Sequence, residues 1–256
     1  MVGDALSYSG ARFLEVDFSG ARLRECDLRG ARILASWLVD VRLSGLVENL
    51  VVNDVDVSAY VEAELDRRHP ERVMVREMRT ADDYRATWAA VERLWADAVA
   101  RARRLPEPAL HEQVDEEWSF VQTLQHLVFA TDAWASRTVL DEPMPYHRLG
   151  RPDSLYDPAD AASIGIDLDA DPPFTEVLAA WESRRDVMRA IVAGLTDAEL
   201  ERLSTRNPGP GYPEEPVAVG RALRVVMRES SEHHRYATRD LDVLEARHPG
   251  SDTVTG

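Results

Sequence analysis

The chain contains no lysine. All 30 of its basic Lys/Arg positions are arginine, against 46 acidic residues, and the formal charge is −16 over 256 residues. A field of that sign repels a phosphate backbone, which excludes nucleic acid as a favoured partner. It disfavours an anionic membrane surface for the same reason. Long apolar runs are missing as well. None approaches the ~20 residues that a membrane-spanning helix needs, and no basic stretch followed by an apolar one stands at the N-terminus. The expectation is a cytoplasmic protein. Cysteine is almost absent: Cys26 stands alone, so there is no internal disulfide and no cysteine cluster to hold a metal. Thiol chemistry here would need a thiol brought by a cosubstrate. Hydrophobic residues make up 45% of the chain, enough for one large domain or two modest ones.

The first sixty residues repeat with a period of five. Tyr8, Phe13, Phe18, Leu23, Leu28, Ile33, Leu38 and Leu43 mark it. Mostly small residues stand two positions earlier, at Ala11, Val16, Ala21, Cys26, Ala31, Ser36 and Val41. The phase slips by one after Leu43 and resumes at Val47, Val52 and Val57. Neither a helix nor a strand sustains this period, so a repeat architecture is expected. The segment GARFLEVDFSGARLRECDLRGARIL resembles the pentapeptide-repeat family. That resemblance implies a short right-handed quadrilateral β-helix, four pentapeptides to a coil, with the central and small residues turned inward. Cys26 falls on an inward small position and is expected to pack rather than react. DNA mimicry, known among such repeats, is disfavoured because Arg12, Arg22, Arg24, Arg29, Arg32 and Arg42 offset the acids; docking or capping of the second half fits better.

From about residue 59 the period becomes helical. YVEAELDRRHP reads as a connecting helix stopped by Pro70. Thr80 can cap a helix carrying Trp88, Val91, Trp95 and Val99, and Ser119 can cap FVQTLQHLVFATDAWASRTVL. A Pro- and Asp-rich stretch over 141–172 reads as a loop packed on the helices. A third helix should run from about Thr175 to Gly194, a short one should follow Thr196, and a fourth should begin near Pro216. The expected fold class is therefore α+β. Residues 1–60 form the β-helix, 61–79 a connecting helix, 80–247 a four-helix bundle and 248–256 a disordered tail. Bundle cores often hold sites built from facing helices.

The histidines narrow the search. His69, His111 and His248 lie in polar or proline-flanked segments and read as solvated. His126 sits mid-helix among Leu124, Leu127, Val128 and Phe129, where a lone histidine is usually a satisfied core residue. His233 and His234 are neighbours about 100° apart on a helix, so only one can face the interior fully. Glu229, one turn before His233, shares its face. Together Glu229, His233 and His126 would make two histidines and a carboxylate around one ion, leaving an open coordination position. On spacing alone the exposed helix pair and the metal site both remain open, and zinc, nickel, iron or manganese would suit such ligands.

Three stretches, WSFVQTLQHLVFATDAW, SRRDVMRAIVAGLTDAEL and RESSEHHRYATRDLDVLE, resemble the DinB-like superfamily of four-helix bundle metalloproteins. Many members carry one histidine on the second helix and an HxxxH pair on the last. Here the pair reads Glu229-xxx-His233, a departure that looks like the His-Glu-His set of the mycothiol-dependent maleylpyruvate isomerase branch. The resemblance implies zinc at His126, Glu229 and His233 and mycothiol, or a similar low-molecular-weight thiol, as cosubstrate. The thiol would attack a small electrophile, giving S-transfer or a thiol-dependent isomerisation. His234 and Tyr236 are candidates to support the chemistry. Tyr212, Arg228, Arg235 and His147 are candidates to meet the substrate, and Arg224 could meet a carboxylate. Two other readings stay open: a non-catalytic metal-binding protein whose repeats dock a partner, and a metal-assisted hydrolase. A fourth protein ligand, such as Asp240 or His234, would favour the non-catalytic reading. An exposed end of the repeat could also pair two chains as a homodimer.

Overall fold

Thr80 opens the longest amphipathic stretch of the N-terminal half. Its hydroxyl accepts from the Asp83 N–H and the Asp83 carboxylate accepts from the Thr80 N–H, so the orphan donors of the first turn are satisfied. In the computed structural model, which describes residues 6–249, this helix (α3) spans Ala81–Ala102. The chain divides into two compact units at Glu48 and Asn49.

The first unit is a chain that turns a corner every fifth residue. Gly10, Glu15, Gly20, Glu25, Gly30, Ala35, Asp40 and Gly45 all have positive φ. At Gly10, Gly20 and Gly30 the corner is a hydrogen-bonded turn, closed from Ala11 to Tyr8, Ala21 to Phe18 and Ala31 to Leu28 at 2.9–3.0 Å. Glycine at the third turn position supplies the positive φ that such turns require. The pentapeptide period is thus present as backbone geometry. The β-helix expected from it is not: among the described residues no strand ladder ties one coil to the next, and residues 6–46 are all exposed. Phe13, Phe18 and Leu28 are each more than half exposed. Cys26, expected to pack, is exposed too, because no second layer covers its position.

The second unit begins with a hairpin of β1 (Val51–Val52) and β2 (Val55–Asp56), antiparallel with Val52 opposite Val55. Asn53 and Asp54 at its tip both have positive φ, as a tight two-residue hairpin turn demands. Helix α1 (Ser58–Arg68) ends before Pro70 as expected. Pro70 does more than stop it, however. It occupies the first turn of α2 (Pro70–Glu77), where a missing N–H costs nothing.

Four long segments then pack around one core. They are α3, α4 (Phe120–Thr131) with its continuation Asp132–Val139, α6 (Phe174–Gly194) and α8 (Val219–Arg247). Helix α8 packs on α3 and α4, and α6 packs on the same two from the other side, closing a four-membered ring. Trp95, Leu124, Leu127, Met188, Leu223, Met227 and Leu241 fill it. Ser119 caps α4 through the Gln122 N–H, while Gln122 reaches back to the Ser119 N–H.

Two boundaries differ from the sequence expectation. The second helix is not uniformly α: beyond Thr131 it widens to π geometry, with the Leu140 N–H reaching the Ala135 carbonyl. The fourth starts at Val219 rather than near Pro216, because Ala218 bridges Leu203 and the Ser204 N–H bonds the Val217 carbonyl. The 141–172 stretch carries one short helix, α5 (Pro158–Ser163). It folds Ile164 and Ile166 against Phe129 and Ala133, with Tyr146, Tyr156 and Tyr212 around them. Helix α7 (Asp197–Glu201) is capped by Thr196. Of the tail expected from residue 248, His248 lies 2.6 Å from Glu112, and 250–256 lie outside the described residues. His111 likewise meets Asp171 at 3.1 Å and His69 meets Glu71 at 3.6 Å, so none of the three is merely solvated. Among the described residues no helix is long and apolar enough to cross a membrane.

Candidate metal centre

Helix α4 is buried along almost its whole length, so a polar side chain on it must find partners. His126 does. Its Nδ1 lies 3.0 Å from the Arg151 carbonyl, in the loop that follows the second helix. A carbonyl only accepts, so Nδ1 carries the proton, and in the neutral ring Nε2 presents a bare lone pair. That lone pair faces Glu229 Oε2 of α8 at 3.5 Å. His233 Nε2, one turn further along α8, lies 3.5 Å from the same oxygen. Ligand atoms of His126, Glu229 and His233 all fall within 4.8 Å of one another.

These distances discriminate between two arrangements. A charge-assisted N–H···O bond draws its atoms to about 2.7–2.9 Å. Ligands held at about 2.0–2.1 Å on a tetrahedral zinc stand roughly 3.3 Å apart. The 3.5 Å separations match the second spacing, not the first. A neutral His126 also sets an acceptor against a carboxylate, which only a proton or a metal cation between them relieves. The donor set therefore fits a divalent ion.

Electrostatics prepare the same site. Burial pushes the Glu229 carboxyl up, but positive charge facing it, on protonated His126 and His233 rings or on a cation in their place, more than reverses this and holds it well below the usual carboxylate range. Burial lowers His233, opposed by Glu229, so its ring favours the neutral form that a metal needs. Trp118 lies against both imidazoles, 4.7 Å from His126 and stacked 5.7 Å from His233 between ring centres. The sequence reading gave Trp118 no role. Trp118 stands just ahead of the Ser119 cap, outside α4, so helical spacing gives no signal for it. Arg151 contributes through its backbone, which leaves no sequence signal.

The other named residues are placed as follows. Tyr236 sits edge-on to His233 at 6.2 Å, beneath the Arg235 guanidinium at 4.3 Å. Arg235 itself is committed to Glu232 at 2.9 Å. Arg228 touches Glu229 Oε1 at 3.4 Å and is mostly exposed. The Tyr212 ring meets Trp134, and burial pushes its hydroxyl up to about 12, with the Glu229 charge contributing. His147 lies elsewhere: its N–H bonds Asp132, which Arg184 grips at 2.8 Å. Burial lifts that Asp132 carboxyl to about 6 against the pull of Arg184. Asp240 pairs with Arg239 at 2.7 Å and takes no part in the cluster.

His234 turns away from the cluster. Its ring stands edge-on to Trp95 at 5.6 Å in the core, and Nδ1 is buried with no partner. Burial drives it down to about 4, opposed by a hydrogen bond to the Leu94 backbone. Adjacent on the helix, the two histidines face different surroundings: His233 looks at α4, and His234 looks at α3.

Comparison with known proteins bears on the whole chain. A family model described as the DinB superfamily matches residues 90–237, and a pentapeptide-repeat model matches residues 9–45 in 8 copies. Neither the curated proteins nor the solved structures yield a match. With a bundle of this ring order and a match over more than half its length, the chain belongs to the DinB superfamily and carries an N-terminal pentapeptide-repeat segment.

Proposed function

We propose that the helical unit is a metal-dependent thiol transferase that uses a low-molecular-weight thiol, mycothiol, against a small electrophile. The observation carrying this reading is the His126–Glu229–His233 cluster, with its two 3.5 Å nitrogen–oxygen separations and His126 Nδ1 held at the Arg151 carbonyl. These three side chains would hold one divalent ion, zinc by preference. Bound there, the ion would accept a thiol sulfur at its remaining position and lower the thiol pKa.

The chain's own groups define the rest. The Arg151 carbonyl fixes the His126 tautomer, and Trp118 screens both imidazoles from water. In the reaction the thiol loses its proton and its sulfur forms a bond to an electrophilic carbon. A leaving group then departs with the electron pair of its bond. In the isomerising variant, the adduct rotates and expels the thiol again. Arg228, 3.4 Å from Glu229, would meet the substrate, with Tyr212 as a further candidate.

Among the described residues no fourth ligand joins the three, which favours an open site over a purely structural staple. For the repeats, the inference is a docking module.

Metal analysis tests the central claim. Purified protein should hold about one divalent ion per chain, and His126→Ala or His233→Ala should lose it. A wild-type protein that stays metal-free after zinc supplementation refutes the reading. Consumption of a generic electrophile with mycothiol, but not without it, separates a thiol route from hydrolysis.

A further inference from the structure

A cavity of about 600 Å³ lies where α1 and α2 meet α8. Its lining is basic in an otherwise acidic chain: five arginines against Glu62 and Glu232. The two arginines on α2 are spoken for. Arg72 bonds Glu62 at 2.9 Å and Glu232 at 2.8 Å, and Arg76 bonds Asp66 at 2.6 Å. The three on α8 are less fully committed. Arg221, Arg224 and Arg228 follow one another at spacings of three and four, which puts them along one side of the helix.

Their hydrogen-bonding capacity is largely unused. Arg221 has no ion-pair partner among the described residues. Arg224 gives one N–H to the Met78 carbonyl and also meets the Tyr84 hydroxyl, while its Nε is buried without an acceptor. Arg228 meets only Glu229, at 3.4 Å. At the floor of the cavity Ser231 is 3% exposed, and its hydroxyl likewise has no partner. Buried donors without acceptors are uncommon and call for an explanation. The guanidinium of Arg221 beside them, with no ion-pair partner among the described residues, presents the fork that oxyanions fit.

We propose that this cavity binds a small polyanion, bearing two or more phosphate or carboxylate groups, on Arg221, Arg224 and the Ser231 hydroxyl. The run from Arg221 to Arg228 covers roughly 10 Å along the helix, room for two oxyanion groups. The volume suits a small ligand rather than a single ion. The net charge of −16 repels anions from the surface at large, so uptake would be confined to this place. The site needs no metal, and its principal groups, Arg221, Arg224 and Ser231, are distinct from the His126 cluster, which it adjoins only through Arg228.

Calorimetric titration of the full chain tests it, with pyrophosphate and citrate as probes. One or both should bind saturably, more weakly as salt rises, and the tighter of the two identifies a phosphate or a polycarboxylate ligand. Arg224→Gln should weaken binding at least about tenfold, as the loss of a charge-assisted bond implies. Arg221→Gln, at an exposed position that cannot threaten the fold, should weaken it several-fold. His126→Ala should leave it unchanged. Absence of saturable binding by either probe would overturn the proposal. So would undiminished affinity in Arg221→Gln and Arg224→Gln proteins of native circular dichroism. Loss in His126→Ala with retention in the arginine variants would move the anion to the metal cluster and sink the proposal equally.

Discussion

Phenylalanine has two fates in this chain. Phe13 and Phe18, in the repeats, are more than half exposed although their rings touch edge to face at 5.5 Å. Phe120 and Phe174, in the bundle, are at most 5% exposed and sit in the same cluster as Trp95 and Trp181. Both regions announce themselves by period, five in one and 3.6 in the other. A period governs local backbone geometry, whereas burial requires a second layer at the right distance. The bundle supplies that layer from three other helices. The repeats supply corners and contacts between successive units, but no covering ladder.

The contrast can be broken or sharpened by substitution. Trp95→Ala removes a ring that lies at the centre of the core and gives its N–H to the Ser230 carbonyl at 2.9 Å. It should cost about 3–5 kcal/mol of unfolding free energy, read by urea titration of the helical signal. Phe13→Ala should change the same titration by less than about 1 kcal/mol, since most of that ring is already in water. An equal cost at the two positions would mean that the repeats bury their aromatics, and the comparison would collapse.

Acid sharpens it further. His234 is held down from 6.5 to about 4 by burial, so the folded chain binds fewer protons at this position than the unfolded one. The stability tied to its neutral form is intact above 6.5. It is lost as pH falls from 6.5 toward about 4, at up to about 1.4 kcal/mol per pH unit. His234→Asn should flatten that part of the stability profile relative to wild type. Identical slopes in the two proteins would show that the ring is free to protonate. A small effect is expected at Gly20 as well, whose φ of +73° faces open space. Gly20→Ala should cost roughly 1 kcal/mol of backbone strain and leave the helical signal untouched.

The bundle was legible where the signal is local. Thr80 with Asp83 and Ser119 with Gln122 are reciprocal caps readable from three-residue spacings. Thr196 before an acidic turn is another. What depends on partners distant in sequence was not. The widening after Thr131 has no local breaker. The late start of α8 depends on Ala218 pairing with Leu203. Pro70 carries two meanings, stop and start, and its spacing alone shows only the first. At the cluster, Glu229 and His233 could be paired from a one-turn spacing, but their approach to His126 depends on how α4 packs on α8. His234 shows the limit most directly. Its neighbour's orientation excluded it from the cluster, yet nothing local disclosed Trp95 as its partner.

The hydrogen bond from His126 to the Arg151 carbonyl has a mechanical consequence. Arg151 belongs to the long segment that crosses the bundle end, and the Asp167 N–H ties that segment back to the Arg148 carbonyl at 2.9 Å. An ion held at the cluster, as proposed, would therefore be thermodynamically linked to the seating of this segment. Whatever factor the seated segment adds to ion affinity, a captured ion returns to the seating of the segment. On the proposed reading, lifting this segment to admit a bulky molecule would loosen the ion's grip by the same factor, and the segment would work as a latch whose tension is set by what the cluster holds.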